Sequence, residues 1–204
     1  AWPYLELIAG ASGIDDPLDA RVVEAYWVGN GLLDNVTSSL LHRSLEERFR
    51  GRAGRVWPRL ADTAWAGAVP HHSFHVFGVY PWLGLLRSGQ LAEPLQVLDR
   101  CRIRWGQVLE VGSGFATVRS RPLRWDQSRH ELTLGEARPE RVQLAVDGLA
   151  LASDLAPGQW CALHWDWVCD RLDPGRLRAL RDYTCRQLRV VSSPSYSPPA
   201  AVLS

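Results

Sequence analysis

The chain contains no methionine, and its 23 basic side chains are all arginine, because lysine is missing too. Against 22 aspartates and glutamates the formal net charge is only +1. That balance removes the electrostatic case for nucleic acid or an anionic membrane as the main partner. No apolar run approaches the roughly 20 residues of a membrane span, so no span is expected. No charged-then-apolar secretory leader is visible. The four cysteines, Cys101, Cys161, Cys169 and Cys185, lack the spacing of a disulfide framework and read as cytoplasmic thiols. A Gly-x-Ser-x-Gly nucleophile elbow is absent, and Gly112-Ser113-Gly114 lacks a phosphate-loop or dinucleotide context.

What is present suffices for one large domain or two small ones: 204 residues, 46% of them apolar, with ten tryptophans that read as core and interface packing. The pattern predicts an α+β protein in two modules, with a helical domain over 1–96 and a small oligonucleotide-binding-like (OB-like) β-barrel with a C-terminal helix over 97–190. A Ser/Pro-rich tail, 191–204, is expected to be extended or disordered. Asp16-Pro17 reads as a helix start, with Val22, Ala25, Tyr26 and Leu33 near the helical period. Thr37 or Ser38 reads as the cap of a second helix whose stripe is Leu41, Leu45 and Phe49, broken at Gly51. A further helical stretch is expected over 60–68. The apolar segment His71–Leu86 reads as one helix kinked near Pro81 or as two short ones. Strands are expected from Ile103 to Val111, Phe115 to Arg119, Leu123 to Leu134 as a hairpin, around the Asp147-Gly148 turn, and from Trp160 to Arg171. Asp173-Pro174 opens the last helix.

Two segments carry the most specific signal. One is Cys101-Arg102-Ile103-Arg104-Trp105-Gly106-Gln107-Val108. The other is Pro157-Gly158-Gln159-Trp160-Cys161-Ala162-Leu163-His164. Together they resemble the signature segments of the HypC/HupF-type nickel-iron hydrogenase maturation chaperones, over about residues 101–188. The resemblance implies an OB-like barrel in which a cysteine opens the first strand and a histidine sits on a later one. It implies that Cys101 is the principal thiolate for a ligated iron fragment, with His164 as auxiliary ligand. It also implies a hydrogenase large-subunit precursor or a maturase as partner. Trp105 stands where that family has proline, Cys101 is internal, and a hairpin around Asp147-Gly148 is extra. The helical half is not covered.

Independently, alternation along one strand places His164 and Asp166 on the same side, where Asp166 would hold the second ring nitrogen. The run His71-His72-Ser73-Phe74-His75 holds half of the six histidines. On a regular helix His71 and His75 share a face, a spacing suited to a metal, while His72 points about 100° away. Three functions compete. The first is an accessory chaperone handling metal through Cys101 and His164. The second is a metal- or haem-dependent enzyme built between the modules on His71, His72 or His75 with Cys101 or Tyr80. The third is a plain interaction module, in which cysteine and histidines only pack.

Overall fold

In the computed structural model, residues 1–53, 67–146, 148–150, 152, 154–193 and 196 are described. Helix α1 spans Trp2–Ala11 and α2 spans Ala20–Trp27. The start of α2 lies one turn beyond the expected Asp16. Asp16 closes only a turn, accepting from the Leu18 amide at 2.8 Å, and Asp19 is the N-cap, accepting from the Arg21 amide at 2.8 Å. A carboxylate there satisfies an otherwise orphaned N–H at the positive end of the helix dipole. The chain then tightens into a 3-10 turn over Gly31–Asn35. Helix α3, Ser38–Ala53, starts as expected, with Thr37 Oγ1 accepting from the Leu40 amide at 3.3 Å and with Leu41 and Leu45 buried. It runs through Gly51, where a break was expected. Of the helical stretch anticipated at 60–68, residues 60–66 lie outside the described residues, and Gly67 and Ala68 are not helical.

The His71–Leu86 segment is two short pieces. A single turn, α4 (His72–Phe74), runs into a π-helical turn over His75–Val79, and Pro81 separates these from α5, Trp82–Arg87. Helix α6 spans Ala92–Cys101, so the boundary anticipated at residue 96 falls inside a helix.

Nine strands follow: β1 (Arg104–Val111), β2 (Phe115–Ser120), β3 (Leu123–Asp126), β4 (Glu131–Leu134), β5 (Arg138–Gln143), β6 (Ala145–Val146), β7 (Leu149–Ala150), β8 (Trp160–His164) and β9 (Trp167–Leu172). Five of them close a barrel in the order β1-β2-β5-β9-β8, while β3-β4 and β6-β7 are separate hairpins. Closure requires one parallel contact, Gln143 against Trp167. Gly106 lets β1 approach its neighbours: a Cβ there would sit 3.1 Å from the Val118 side chain and 3.3 Å from Leu163. Gly158, at φ +89°, forms the left-handed corner that turns the chain into β8. Helix α7, Pro174–Val191, is capped by Asp173, which accepts from the Arg176 amide at 2.9 Å.

The single strand expected from Trp160 to Arg171 is instead a β8–β9 hairpin. It pairs His164 with Trp167 across a two-residue turn, Trp165-Asp166, and Trp165 takes φ +53°. Trp165 is not a usual turn former and Asp166 has no glycine or asparagine beside it, so the bend gives only a weak signal in the sequence.

Alternation puts Val108, Val118, Cys161, Leu163 and Val168 inside the barrel. Trp105, Trp160 and Ala162 face outward against Leu177 and Leu180 of α7. The largest core joins the N-terminal helices to Leu123 and Leu132 of the first hairpin and to Leu188 and Val191 of α7. The tail is docked at Tyr196, which is buried and donates its hydroxyl to the Gly78 carbonyl at 2.8 Å. An extended, disordered tail does not describe that residue.

Candidate metal centre

Cys101 is the last residue of α6 rather than the first of a strand. His164 ends β8, and its position is fixed by a clamp on the hairpin turn. The Trp165 amide donates to the Arg100 carbonyl at 2.8 Å. The Arg100 side chain donates to Asp166 at 2.8 Å and to Glu140 at 3.3 Å. Buried Arg104 bonds both the Glu140 carboxylate and the Trp165 carbonyl, and Ser120 also donates to Glu140. Burial alone would raise the Glu140 pKa, but Arg104, Ser120 and Arg100 together hold it below the ordinary value. A carboxylate satisfied on every side can remain charged inside the fold. The clamp brings the C-terminal turn of α6 against the β8–β9 turn, and so Cys101 beside His164.

The third member comes from the helical half. His72, the first residue of α4, has Nε2 2.8 Å from the Cys101 carbonyl and Nδ1 3.2 Å from the Tyr26 hydroxyl. The same hydroxyl lies 3.0 Å from Nδ1 of His75. The proton positions follow from these partners. A carbonyl only accepts, so His72 carries its hydrogen on Nε2. Burial holds the His72 pKa down to about 3, so the ring is neutral and Nδ1 is bare. Tyr26 therefore donates to His72 and accepts from Nδ1–H of His75, whose pKa burial lowers to about 4. Trp27 covers the group, with its ring centroid 4.4 Å from His72 and 5.6 Å from His164.

One ligand atom each from His72, Cys101 and His164 lies within 4.8 Å of the others. Around a tetrahedral ion with bonds of about 2.0–2.3 Å, such donors stand roughly 3.3–3.8 Å apart, so closure by about 1 Å completes the set once His72 turns Nε2 from the Cys101 carbonyl to the ion and carries its proton on Nδ1. The donors fit a cation in three ways. Nε2 of His164 is buried and has no hydrogen-bond partner among the described residues. Its pKa is lowered by burial, with the Cys101 carbonyl opposing, so the lone pair is kept available. The site also lies at the C-terminus of α6, the negative end of the helix dipole. Burial raises the Cys101 pKa, so without a cation the thiol keeps its proton. One thiolate and two imidazoles suit zinc, iron, copper or nickel, and a three-donor set leaves a position open.

The other candidates go elsewhere. His71 and His75 do not share a face, because His71 is the extended N-cap of α4 and the chain enters a π-turn at His75. His71 Nδ1 accepts from the Ser73 amide at 3.0 Å, and its ring stacks on Tyr183 at 5.2 Å. His75 stands behind Tyr26, its ring 4.6 Å from that of Tyr80. Asp166 does not hold His164; the hairpin turn points it at Arg100, and it is 64% exposed. Trp105 is a packing residue, with the Arg102 and Arg181 guanidinium carbons 5.9 and 5.7 Å from its ring centroid. Cys161 and Cys169 are structural: burial pushes their thiols up to about 12 and about 11. Tyr26, Trp27 and Arg100 were not expected here. The first two merge into an apolar helical stripe, and Arg100 is one of 23 arginines.

No helix among the described residues is long and apolar enough to cross a membrane. Neither the curated proteins nor the solved structures contain a match to this chain. The model for the family described as "Family of unknown function (DUF6390)" matches residues 1–197, and the chain belongs to that family.

Proposed function

We propose that this protein binds one soft or borderline transition-metal ion, or a ligated iron fragment, through Cys101, His72 and His164, and acts as a cytoplasmic accessory factor that holds this cargo for a partner. The observation that carries the reading is the convergence of three donors from α4, α6 and β8 within 4.8 Å, on a histidine, His164, whose buried Nε2 makes no hydrogen bond among the described residues. Orphaned buried nitrogens are costly and call for a missing partner. A bound cation would supply Lewis acidity and a site for a fourth ligand. Cys101 would anchor it as thiolate, His164 would complete the barrel side, and His72 would close it from the helical layer. Three donors this close suit a single small ion better than a haem.

The chaperone half of the proposal draws on the HypC-like segments, whose Cys101 and His164 are two of the three donors. A hydrogenase large-subunit precursor or a maturase is the partner that this resemblance implies. A second reading, a metal-dependent enzyme, is favoured by the open fourth position and by two tyrosines, Tyr26 and Tyr80, close enough for Cys101 to perturb their ionisation.

The test is elemental analysis of protein purified without oxygen, followed by pull-down from a hydrogenase-producing cell. About one equivalent of metal is expected in the wild type, none in Cys101→Ala or His164→Ala, and a hydrogenase precursor or maturase in the wild-type eluate. Metal-free wild-type protein, or equal metal in both variants, removes the site. Metal without such a partner leaves the enzyme reading in place of the chaperone.

A further inference from the structure

Tyr4 of α1 is fully buried, and its O–H donates to no acceptor among the described residues. Nη1 of Arg48, on α3, is buried and finds no acceptor among them either. The Arg48 guanidinium carbon lies 4.7 Å from the Tyr4 ring centroid and 5.0 Å from that of Phe49. None of the ion pairs formed by the described residues involves Arg48. Its charge is nonetheless felt inward: burial raises the Tyr4 and Tyr26 pKa values and Arg48 partly offsets that, while burial, the N-terminal ammonium and Arg48 all disfavour a charged His75. Tyr4 in turn sits 5.2 Å from the His75 ring and 5.9 Å from Tyr26, ring centre to ring centre.

Among the described residues, the end of the molecule where α1 meets α3 therefore holds two donors without an acceptor, a guanidinium N–H and a phenol O–H, and a cation without a carboxylate. A buried water would satisfy the hydrogen bonds but leave the charge uncompensated. An anion with acceptor oxygens satisfies both. A guanidinium fork matches a carboxylate in particular, since two parallel N–H groups meet two coplanar oxygens.

We propose that Arg48 and Tyr4 form a binding subsite for a small carboxylate, one aromatic layer away from the Cys101–His72–His164 group. One oxygen takes Nη1–H of Arg48, and the Tyr4 hydroxyl donates to the same carboxylate. Tyr26 and His75 separate this subsite from His72. The proposal does not depend on metal binding, because both donors belong to the chain itself.

The test uses the full chain stripped of metal, with melting curves and calorimetric titration of formate, acetate, phosphate and chloride at constant ionic strength. Formate or acetate is expected to raise the melting temperature saturably, while phosphate and chloride do not. Tyr4→Phe is the informative variant. It removes an unsatisfied hydroxyl without disturbing packing, so the ligand-free variant should melt above the wild type yet bind the carboxylate at least tenfold more weakly. Arg48→Gln should abolish the carboxylate response. No anion-specific shift in the wild type, the result a bound water alone would give, overturns the proposal. So does a response to phosphate only, or carboxylate affinity unchanged in Tyr4→Phe.

Discussion

The Trp165 amide donates to the Arg100 carbonyl at 2.8 Å, which ties the turn of a β-hairpin to the last turn of a helix. Cys101 follows the acceptor and His164 precedes the donor, so this one bond helps set the spacing of two candidate metal donors 63 positions apart in the sequence. The turn holds Trp165 at φ +53°, a conformation that costs a non-glycine residue about 1–2 kcal/mol.

Glycine has no such cost. Trp165→Gly should therefore be more stable than Trp165→Ala by about 1 kcal/mol, the reverse of the usual order. Urea unfolding of the two variants checks this; an alanine variant at least as stable as the glycine one contradicts the strained turn.

Metal affinity should rise with pH. The two imidazoles have lowered pKa values and are neutral across the working range, whereas the Cys101 thiol is raised by burial and must lose its proton to bind. One proton released per ion means that Kd falls about tenfold per pH unit between about pH 6.5 and 8. Competition with a chromophoric chelator measures the slope, and a flat profile would mean that the thiolate is not a ligand.

Stability should fall on mild acidification. His71, His72 and His75 are held neutral by burial, at pKa values of about 4, about 3 and about 4. An unfolded histidine titrates near 6.5, so below that pH the unfolded chain binds more protons than the folded one. The stabilisation is complete above about pH 6.5 and is lost as pH falls toward the folded values, on the order of 3 kcal/mol for His71 alone. Urea midpoints at pH 7.5, 6 and 5 should decline steadily; a constant midpoint would show these rings are not buried neutral.

Tyr26→Phe should weaken metal binding about 10- to 100-fold, the usual cost of losing an orienting partner behind a ligand. To coordinate through Nε2, His72 must carry its proton on Nδ1, and only a group that accepts as well as donates can remain bonded there. Tyr26 does so by turning its own proton toward Nδ1 of His75, 3.0 Å away, which must then carry its hydrogen on Nε2 instead. The zinc or cobalt dissociation constant of the variant measures this, and wild-type affinity would remove Tyr26 from the site.

How much of this was legible depends on what each residue shares with its neighbours in sequence. The barrel was readable because alternation and Pro-Gly or Asp-Gly turns are local signals. Two short motifs singled out Cys101 and His164, which the fold places side by side, although the cysteine ends a helix. Among the histidines the periodic argument chose the wrong pair. It assumed a regular helix across 71–75, whereas an extended cap and a π-turn point His71 and His75 apart and leave His72 facing Cys101. Tyr26 was hidden because a tyrosine in an apolar stripe looks like core until its hydroxyl partners are known. The hairpin turn was hidden because a lone Asp166 beside Trp165 is a weak signal and tertiary bonds to Arg100 and Arg104 hold the bend.

His72 and Cys101 stand 29 residues apart in the chain, and His164 lies most of a barrel further on. An ion gripping all three would act as a removable cross-link between the helical layer and the sheet. Loops pinned in this way cost the unfolded chain entropy, so the loaded protein should unravel more slowly than the empty one. Prying α4 away from the barrel would then be the cheapest route to setting the cargo free.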